Sequence, residues 1–291
     1  MSAQSWPSIA IVTPSFNRAT FLDACLASVI DQQYPRLQYV VMDGGSTDGS
    51  PGMIKARSRQ LHYWQSQADN GAYQAVADAF ARTDAEILGW INADDLHLPW
   101  TLHVVGGIFR DCPEVDWITT EAPLEVAADG LPYTCWRFPG FSRRGFRAGE
   151  NLPGPQSPAG AGFIQQESTF WRRTLWDKAG GRFDGVCRLA GDFELWDRYF
   201  DHAQLYCINI PLAAFRRHGL AQASVGGREQ YLAECAAVLA RHGRAAPDTQ
   251  AFVARIARMA GLAIPELERV REPIHVVRRS SDTGRFFTKI I

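Results

Sequence analysis

The sequence predicts an α/β fold, in which parallel strands alternate with crossover helices. Residues 9–13 form a short apolar run of the kind typical of a buried strand. Residues 20–32 then repeat apolar side chains at helical spacing, and a second apolar run, residues 39–42, follows them. The length of 291 residues suits one large domain of this type with a small appendage.

The alternation of strands and helices continues along the chain. Ser50 and Pro51 mark a helix start, because serine is a favoured N-cap and proline fits the first helical position. The remaining strand candidates are residues 62–65, 86–91, 115–120 and 205–208, and the remaining helix candidates are residues 71–82, 99–109, 172–179 and 192–199. Sheets of this type bind ligands beyond the carboxyl ends of their strands, so polar residues that follow strands are site candidates.

Residues 139–162 interrupt the pattern. Proline and glycine crowd this segment, and Arg143, Arg144 and Arg147 lie among them. This composition speaks against a regular element, and long loops inside compact domains are commonly functional. We therefore expect a loop that closes over a bound substrate and excludes water.

From about Arg228 the chain turns helical. The apolar residues of a first helix are Leu232, Cys235, Ala236 and Leu239, with Gly243 as its stop, and Phe252, Ile256 and Met259 mark a second helix. We therefore predict a main domain over residues 1–224 and a helical extension over residues 225–291. The basic and apolar tail from Arg269 is expected to be a packed or frayed terminus, with peripheral contact to a membrane as the alternative.

The composition bears on several classes of function. A formal net charge of −1 gives no global attraction to nucleic acid. The six cysteines form no CxxC pair, which speaks against a zinc site or a redox motif. Residues 1–7 lack the features of a signal peptide, and no apolar run reaches membrane-spanning length. We therefore expect no transmembrane segment and a cytoplasmic location, the inner face of the membrane included.

The first of three acidic clusters is the segment from Asp43 to Ser50, Asp-Gly-Gly-Ser-Thr-Asp-Gly-Ser. It follows a strand candidate and precedes a helix start. Its glycines allow a ligand to approach the backbone closely, and its carboxylates can accept hydrogen bonds from a base or a ribose. An ordinary Asp-Gly turn explains the segment equally well when it is taken alone.

The second cluster is Asn92-Ala93-Asp94-Asp95, directly after the strand candidate at residues 86–91. Two adjacent carboxylates repel each other unless a cation or a helix cap relieves the repulsion. A divalent ion that also binds a diphosphate is one solution, and capping of the helix after Pro99 is the alternative.

The third cluster contains Asp192 at a predicted helix start, next to Phe193. A carboxylate against an apolar wall has a raised pKa, which suits a general base, and helix capping is the alternative. His218 follows Arg216 and Arg217 and is a candidate metal ligand, while the two arginines are candidates for holding phosphate oxygens. Taken in order, the three clusters can hold a nucleotide, hold its diphosphate and deprotonate an acceptor.

These residues resemble the family 2 glycosyltransferases, a large group with the Rossmann-like GT-A fold. The similarity covers roughly residues 8–224, and its segments are residues 11–18, 43–50, 69–75, 92–95, 165–172 and 191–196. The resemblance implies a mixed, mostly parallel central sheet flanked by helices. It also implies a nucleotide-sugar donor, either a UDP-, a GDP- or a TDP-sugar, and a glycan, lipid-linked or protein acceptor.

The resemblance implies a role for individual residues. Asp43 would meet the base, Asp94 would bind a divalent metal (Mn²⁺ or Mg²⁺) and the diphosphate, and Asp192 would be the catalytic base. His218 matches a histidine that can complete the metal shell. The other candidates for donor binding are Thr13, Pro14, Asn17, Arg18, Gly44, Ser46, Asp69, Asn92, Ala93 and Arg216. Two positions depart from the family pattern, because Asn92 replaces an aspartate and Gly191 replaces the usual glutamate.

The predicted function is the transfer of a sugar to an acceptor hydroxyl by a single in-line displacement with inversion. One alternative is a sugar nucleotidyltransferase, but residues 13–18 lack the glycines of its phosphate loop. Another is a nucleotide-sugar-binding protein without catalytic activity. A dehydrogenase and a serine hydrolase are disfavoured, because no GxGxxG follows the first strand and no GxSxG is present.

Overall fold

The computed structural model describes residues 5–153, 162–219, 222, 226–242 and 273–291. The strands in this part of the chain are β1 (Ile9–Ser15), β2 (Leu37–Asp43), β3 (Tyr63–Ser66), β4 (Ile87–Trp90), β5 (Leu96–His97), β6 (Trp117–Thr120), β7 (Leu124–Val126), β8 (Pro132–Cys135), β9 (Phe170–Arg172), β10 (Leu205–Ile208), β11 (Ala213–Arg216), β12 (His275–Arg279) and β13 (Phe286–Ile290). The helices are α1 (Ala19–Ile30), α2 (Ser50–Ala56), α3 (Ala72–Phe80), α4 (Thr101–Asp111), α5 (Arg143–Arg147), α6 (Arg173–Lys178), α7 (Gly191–His202) and α8 (Arg228–Ala240). Ser58–Gln60 and Gln166–Ser168 form short 3-10 helices.

The described strands form one large sheet and one small sheet. The large sheet has the order β13-β12-β10-β6-β9-β4-β1-β2-β3, and the small sheet has the order β5-β11-β7-β8. β1 pairs in parallel with β2 and β4, and β10 pairs in parallel with β6 and β12. Among the described strands of the large sheet, only β9 and β13 run antiparallel to their neighbours. The expectation of an α/β fold with a mixed, mostly parallel sheet is therefore confirmed.

Strand β1 is buried along its whole length because both faces of the sheet are covered. On one face, Ala10 and Val12 belong to a core that also contains residues of α3 and α7. On the other face, Ile9 and Ile11 pack in a core with α1 and α4. The α1 residues in that core, Leu22, Cys25, Leu26 and Val29, recur at the helical spacing read from the sequence. Full burial of each such aliphatic side chain contributes about 2 kcal/mol to folding.

A cluster of tryptophans anchors α7 to the centre of the sheet. Trp196 of α7 stacks on Trp90 and Trp117, with ring centroids 5.9 and 5.7 Å apart, and meets Trp171 edge-on at 5.6 Å. These aromatic contacts fix the first turn of α7, which carries Asp192, over the end of β4.

Two segments differ from the secondary structure predicted. Arg143–Arg147 is a five-residue helix inside the segment expected to be irregular, and the side chain of Ser142 caps it by accepting from the Gly145 amide. Arg147 bonds Asp197 and Asp201 of α7 rather than standing free over a substrate. Residues 154–161 of the same segment lie outside the described part of the chain.

The predicted helical extension is correct for α8 but wrong for the end of the chain. β12 and β13 extend the large sheet beyond β10, and Ile274 and Val276 are fully buried in the core beneath α7. β12 was not predicted, because its two valines are followed directly by Arg278 and Arg279 and make too short an apolar run. The second predicted helix, marked by Phe252, Ile256 and Met259, lies outside the described residues. Among the helices that the structure describes, none is both long and apolar enough to cross a membrane.

Candidate active site

The first acidic cluster folds into a turn that Asp43 holds together. Asp43 ends β2 and is buried. Its Oδ2 accepts hydrogen bonds from the Ser46 amide at 2.9 Å and from the Ser66 hydroxyl at 2.6 Å, and its Oδ1 accepts one from the Ser46 hydroxyl at 2.5 Å. Asp43 therefore stabilises the turn. A ligand would have to form a further hydrogen bond with one of these two carboxylate oxygens.

The loops after β1 and β2 are joined to each other. Asn17 has a positive φ of 51°, which asparagine tolerates better than most residues. Its amide donates to the Ser46 hydroxyl at 2.8 Å, and its Oδ1 accepts from the Thr47 amide at 2.9 Å. Thr13 and Pro14 lie inside β1, where both are buried and Thr13 Oγ1 lies 2.9 Å from the Tyr39 hydroxyl. The side chains of Thr13 and Pro14 thus support the loop from within the core.

Asp69 lies against the first cluster. A Cβ atom on Gly44 would stand 3.2 Å from Asp69 Oδ2, so a larger residue at Gly44 would push Asp69 away. Asp69 Oδ1 accepts a hydrogen bond of 2.8 Å from the Gly71 amide, and Gly71 has a φ of 101°, which favours glycine. The structure therefore brings together Asp43, Gly44, Ser46 and Asp69, four of the residues predicted to bind the donor.

Asp94 forms the second group of side chains, after the end of β4. Its Oδ2 lies 3.0 Å from His218 Nε2 and 3.3 Å from Arg18 Nε. Phe21 of α1 packs on the imidazole of His218, with ring centroids 4.4 Å apart. One carboxylate oxygen of Asp94 is therefore in contact with both Arg18 and His218. All three are predicted site residues, and they come from distant parts of the sequence.

Arg216 supports the loop that carries Asp94 from the buried side. It is buried, and its guanidinium donates to the backbone carbonyls of Asp94 at 2.7 Å and Ala128 at 2.8 Å. Its backbone amide donates to Asp95 Oδ1 at 2.9 Å. Arg217 is also engaged, because it forms two hydrogen bonds of 2.7 Å to Glu125. These partners are distant in the sequence and were not predicted.

Asn92 and Ala93 support the same loop. Asn92 Nδ2 donates to Gln166 Oε1 at 3.2 Å and more weakly to Asp95 Oδ2 at 3.4 Å. Ala93 is buried in the core that contains α1. Burial raises the pKa of Asp95 well above its usual range, and the charges of Glu167 and Asp94 raise it further.

Glu167 is a site residue that the sequence did not single out. It lies on the short 3-10 helix before β9 and is 4% exposed. The pKa of Glu167 is raised to about 8, mainly by burial. A hydrogen bond from its own backbone amide opposes this rise, and the charges of Asp192 and Asp94 add to it. Its carboxyl thus lies within electrostatic range of both carboxylates. The only signal in the sequence was an acidic side chain in the segment 165–172.

Asp192 sits in the first turn of α7 between two tyrosines. The hydroxyls of Tyr73 and Tyr231 lie 3.4 and 3.5 Å from its Oδ1. Burial raises the pKa of Asp192 to about 6, and hydrogen bonds from the α7 backbone and from the tyrosines oppose this rise. A Cβ atom on Gly191 would lie 2.7 Å from the ring of Tyr73, so the close approach of Tyr73 explains why glycine precedes Asp192.

The loop before Asp192 is tied down from both sides. Tyr73 also donates a 2.6 Å hydrogen bond to the Leu189 carbonyl. Glu234 of α8 accepts hydrogen bonds from the amides of Leu189 and Ala190 at 2.8 and 2.9 Å. These contacts were missed because they join segments that lie far apart in the sequence.

The described residues place no cluster of three or more histidine, cysteine, aspartate or glutamate side chains that would hold a metal ion by themselves. Asp94 and His218 nevertheless offer one carboxylate oxygen and one imidazole nitrogen 3.0 Å apart. Two neighbouring ligands of an octahedral ion with bonds of about 2.1 Å lie about 3.0 Å apart. The pair therefore fits two positions of a metal shell, and a ligand diphosphate would have to supply others.

An open depression of about 340 Å³ lies at the amino ends of the strands, away from the acidic clusters. Arg36 and Glu86 on its wall form an ion pair at 3.2 Å in which both side chains are about half exposed. Water satisfies such groups, so we assign no ligand to this depression.

A family model described as Glycosyl transferase family 2 matches residues 10–158, about half of the chain. The chain belongs to glycosyl transferase family 2. The matched segment contains the first two acidic clusters of this family 2 chain, whereas Asp192 and His218 lie beyond it.

Curated relatives agree with this family. An uncharacterised glycosyltransferase of Mycobacterium tuberculosis is 32% identical over 92 residues, which are 31% of this chain and 35% of that protein. The succinoglycan biosynthesis protein ExoU of Rhizobium meliloti is 24% identical over 226 residues, which are 72% of this chain and 61% of that protein. The matches thus span about a third of the length of the first curated relatives.

Solved structures share the fold. The mannosyltransferase PcManGT from Pyrobaculum calidifontis, in complex with GDP-Man and Mn²⁺, is 17% identical, with a TM-score of 0.57 over 91% of this chain and 79% of that chain. TarS 1–349 of S. aureus, in complex with UDP, is 14% identical, with a TM-score of 0.59 over 88% of this chain and 72% of that chain. The expectation of a GT-A fold is therefore confirmed.

Proposed function

We propose that this chain transfers a sugar from a nucleotide-sugar donor to an acceptor hydroxyl, with inversion at the anomeric carbon. The observation that carries the proposal is the meeting of Arg18 and His218 at the Asp94 carboxylate beyond the end of β4, a group that suits a metal-bound diphosphate. On this proposal the acceptor would lie at Asp192, and the charges of Asp94 and Asp192 both act on the buried carboxyl of Glu167. Family membership supports the same reaction class.

The nucleoside is assigned to the turn after β2. Asp69 is exposed there, Asp43 holds the turn from within, and the glycines between them leave room for a ribose or a base. The names of the structural neighbours include UDP-GlcNAc, UDP and GDP-Man, so uridine and guanosine donors are the first to test.

The diphosphate is assigned to the group around Asp94. Asp94 Oδ2 and His218 Nε2 would hold Mn²⁺ or Mg²⁺, and the guanidinium of Arg18 beside them supplies positive charge for phosphate oxygens. Such an ion, when bound, neutralises charge that develops on a leaving diphosphate. His218 is held for this role by Phe21, which packs on its ring.

Asp192 is the proposed general base. As the acceptor oxygen forms its bond to the anomeric carbon, Asp192 takes the hydroxyl proton, and the bond between that carbon and the diphosphate oxygen breaks. With a pKa of about 6, raised by burial, the carboxyl is ionised at neutral pH and still basic enough to accept a proton. Both tyrosine hydroxyls lie on the Oδ1 side of this carboxyl.

Replacement of Asp192 by asparagine tests the assignment. We expect Asp192→Asn to lower the rate of sugar transfer by about 10²–10⁴-fold, because general base catalysis contributes on that order. The melting temperature would be measured with UDP, GDP and TDP, with and without MnCl₂, for the wild type and the variant. A nucleotide that binds the folded state raises this temperature, and the rise should require the metal and persist in the variant.

The outcomes also separate the alternative functions. Transfer at the wild-type rate by Asp192→Asn would refute the role of the base. Release of pyrophosphate from a nucleoside triphosphate and a sugar phosphate would identify a nucleotidyltransferase. Binding of nucleotide sugars without transfer or hydrolysis would identify a binding protein.

A further inference from the structure

Among the described residues, none forms a hydrogen bond with one of the two carboxyl oxygens of Glu167. That oxygen is Oε1, and the side chain is 4% exposed. A buried polar atom left unpaired costs about 1–3 kcal/mol. Such an atom at the edge of a substrate site points to a hydrogen bond that only a ligand completes.

Hydrogen bonds on both sides of Glu167 fix the backbone that carries it. Gln166 donates a 2.5 Å hydrogen bond to the Trp90 carbonyl, and Ser168 donates one of 2.7 Å to Gln165. The Glu167 carbonyl lies 3.2 Å from His97 Nε2. The neighbouring Asp95 is different, because it accepts hydrogen bonds from the protein and needs no ligand.

The position of the carboxyl identifies the part of the substrate that it faces. The neighbouring Gln166 accepts a 3.2 Å hydrogen bond from Asn92, which places Glu167 beside the loop that carries Asp94. The charges of Asp192 and Asp94 both act on its carboxyl. In an in-line displacement, the transferred sugar lies between the leaving diphosphate and the attacking hydroxyl. On the function proposed above, that places the sugar between Asp94 and Asp192.

We propose that the Glu167 carboxyl forms a hydrogen bond with a hydroxyl group of the sugar being transferred and thereby selects the sugar of the donor. This inference rests on the proposed glycosyl transfer. A buried carboxyl that carries its proton can both donate and accept a hydrogen bond, as a sugar hydroxyl does.

The test compares nucleoside diphosphates with their sugar conjugates. Dissociation constants would be measured by calorimetry with Mn²⁺ for UDP, UDP-glucose and UDP-N-acetylglucosamine, and for GDP and GDP-mannose. We expect Glu167→Ala to weaken the sugar conjugate that the wild type binds by about 5–10-fold, the value of one hydrogen bond, and to change the free diphosphate less than about 2-fold. Glu167→Gln, which keeps a donor and an acceptor, should retain most of the affinity.

Two further variants complete the experiment. Glu167→Asp shortens the side chain by one methylene group and so moves the carboxyl away from the sugar. It takes the place of Glu167→Ala in the comparison if the alanine variant does not fold. Glu86→Gln, at the amino ends of the strands, is the control and should leave every dissociation constant unchanged.

Each other outcome overturns the inference. Equal weakening of diphosphate and sugar conjugate would assign Glu167 to the diphosphate or to the fold. Unchanged binding of both, or a wild type that binds a diphosphate but none of its conjugates, would remove its role in sugar recognition. A wild type that binds no nucleotide at all would overturn the proposed function itself, which distinguishes the two failures.

Discussion

Asp192 is a residue at which folding and the proposed chemistry make opposite demands. Burial raises its pKa to about 6, so the ionised form is disfavoured in the folded protein. The ionised form is nevertheless the one that accepts a proton from an acceptor. Hydrogen bonds from the Phe193 amide and the Tyr231 hydroxyl reduce this conflict, because they stabilise the carboxylate.

A difference in stability between pH 5 and pH 8 follows from this conflict. A carboxyl whose folded-state pKa is raised contributes stability at low pH, and that contribution is lost as the pH rises through about 6. Asparagine cannot ionise, so Asp192→Asn should be more stable than the wild type at pH 8, and the difference should shrink towards pH 5. Urea denaturation at both pH values measures the effect.

Asp78→Asn, an exposed substitution on α3, is the matched control and should change the free energy of unfolding by less than about 0.5 kcal/mol. A variant Asp192→Asn that is less stable than the wild type at pH 8 would contradict the prediction. It would mean that the carboxylate is a net stabilising group.

The residues named from the sequence were mostly found where strands end, but their contacts were not predictable. Asp43 and Asp94 follow parallel strands, and parallel strands necessarily bring their carboxyl ends to one edge of the sheet. Arg216 was expected to face phosphate, yet its guanidinium binds two carbonyls in the interior. Glu167 and Tyr231 act through partners distant in the sequence, and one sequence contains no signal for such pairs.

Among the elements, α8 has the least expected role. It follows the family 2 match and lies in the segment predicted to be an extension, yet it contributes Tyr231 and Glu234 to the surroundings of Asp192. Glu234 accepts two amide hydrogen bonds from the loop before α7, and this fixes the direction in which α7 begins. α8 is therefore part of the candidate site.

Tyr231→Phe tests this role of α8 through the pH profile. The hydroxyl stabilises the Asp192 carboxylate, so its loss should raise the pKa of Asp192 further and move the acidic limb of kcat/KM to higher pH. The wild-type limb should lie near pH 6. Activity with saturating donor would be measured from pH 5 to pH 9, with Tyr133→Phe on the exposed strand β8 as the control.

An acidic limb that stays in place while the maximal rate falls would show that Tyr231 only shapes the fold. A downward shift would mean that its hydroxyl does not stabilise the carboxylate. Either result would separate α8 from the proposed chemistry.

Short strands were the elements that the sequence hid. β9 has three residues and runs antiparallel between β4 and β6. The alternation of strands and crossover helices in the sequence predicted only parallel neighbours. β1, β2 and β4 were recognised because each is an apolar run with both faces covered. An element of three residues is too short for any period to be read.

At the scale of the whole molecule, the end of the chain completes the central sheet. β12 pairs with β10 in parallel, and its two valines point to opposite faces. Val276 packs in the core beneath α7, and Val277 packs in the core with α1 and α4. Arg278 and Glu121 add an ion pair at 3.2 Å between β12 and the end of β6. Residues 273–291 are thus structurally continuous with the domain that carries the acidic clusters.

This continuity predicts that Val276→Ala and Val277→Ala each lower the free energy of unfolding by about 2 kcal/mol, because each removes two methyl groups from a filled core. Phe287→Ala on β13 is the control, since this side chain is 45% exposed and its loss should cost only about 1 kcal/mol. Urea denaturation, followed by tryptophan fluorescence, should give a single transition for all three variants, because Trp117 and Val276 share one core. Losses no larger than that of Phe287→Ala, or a separate early transition that leaves the tryptophan signal unchanged, would mean that the terminal strands fold independently of the sheet.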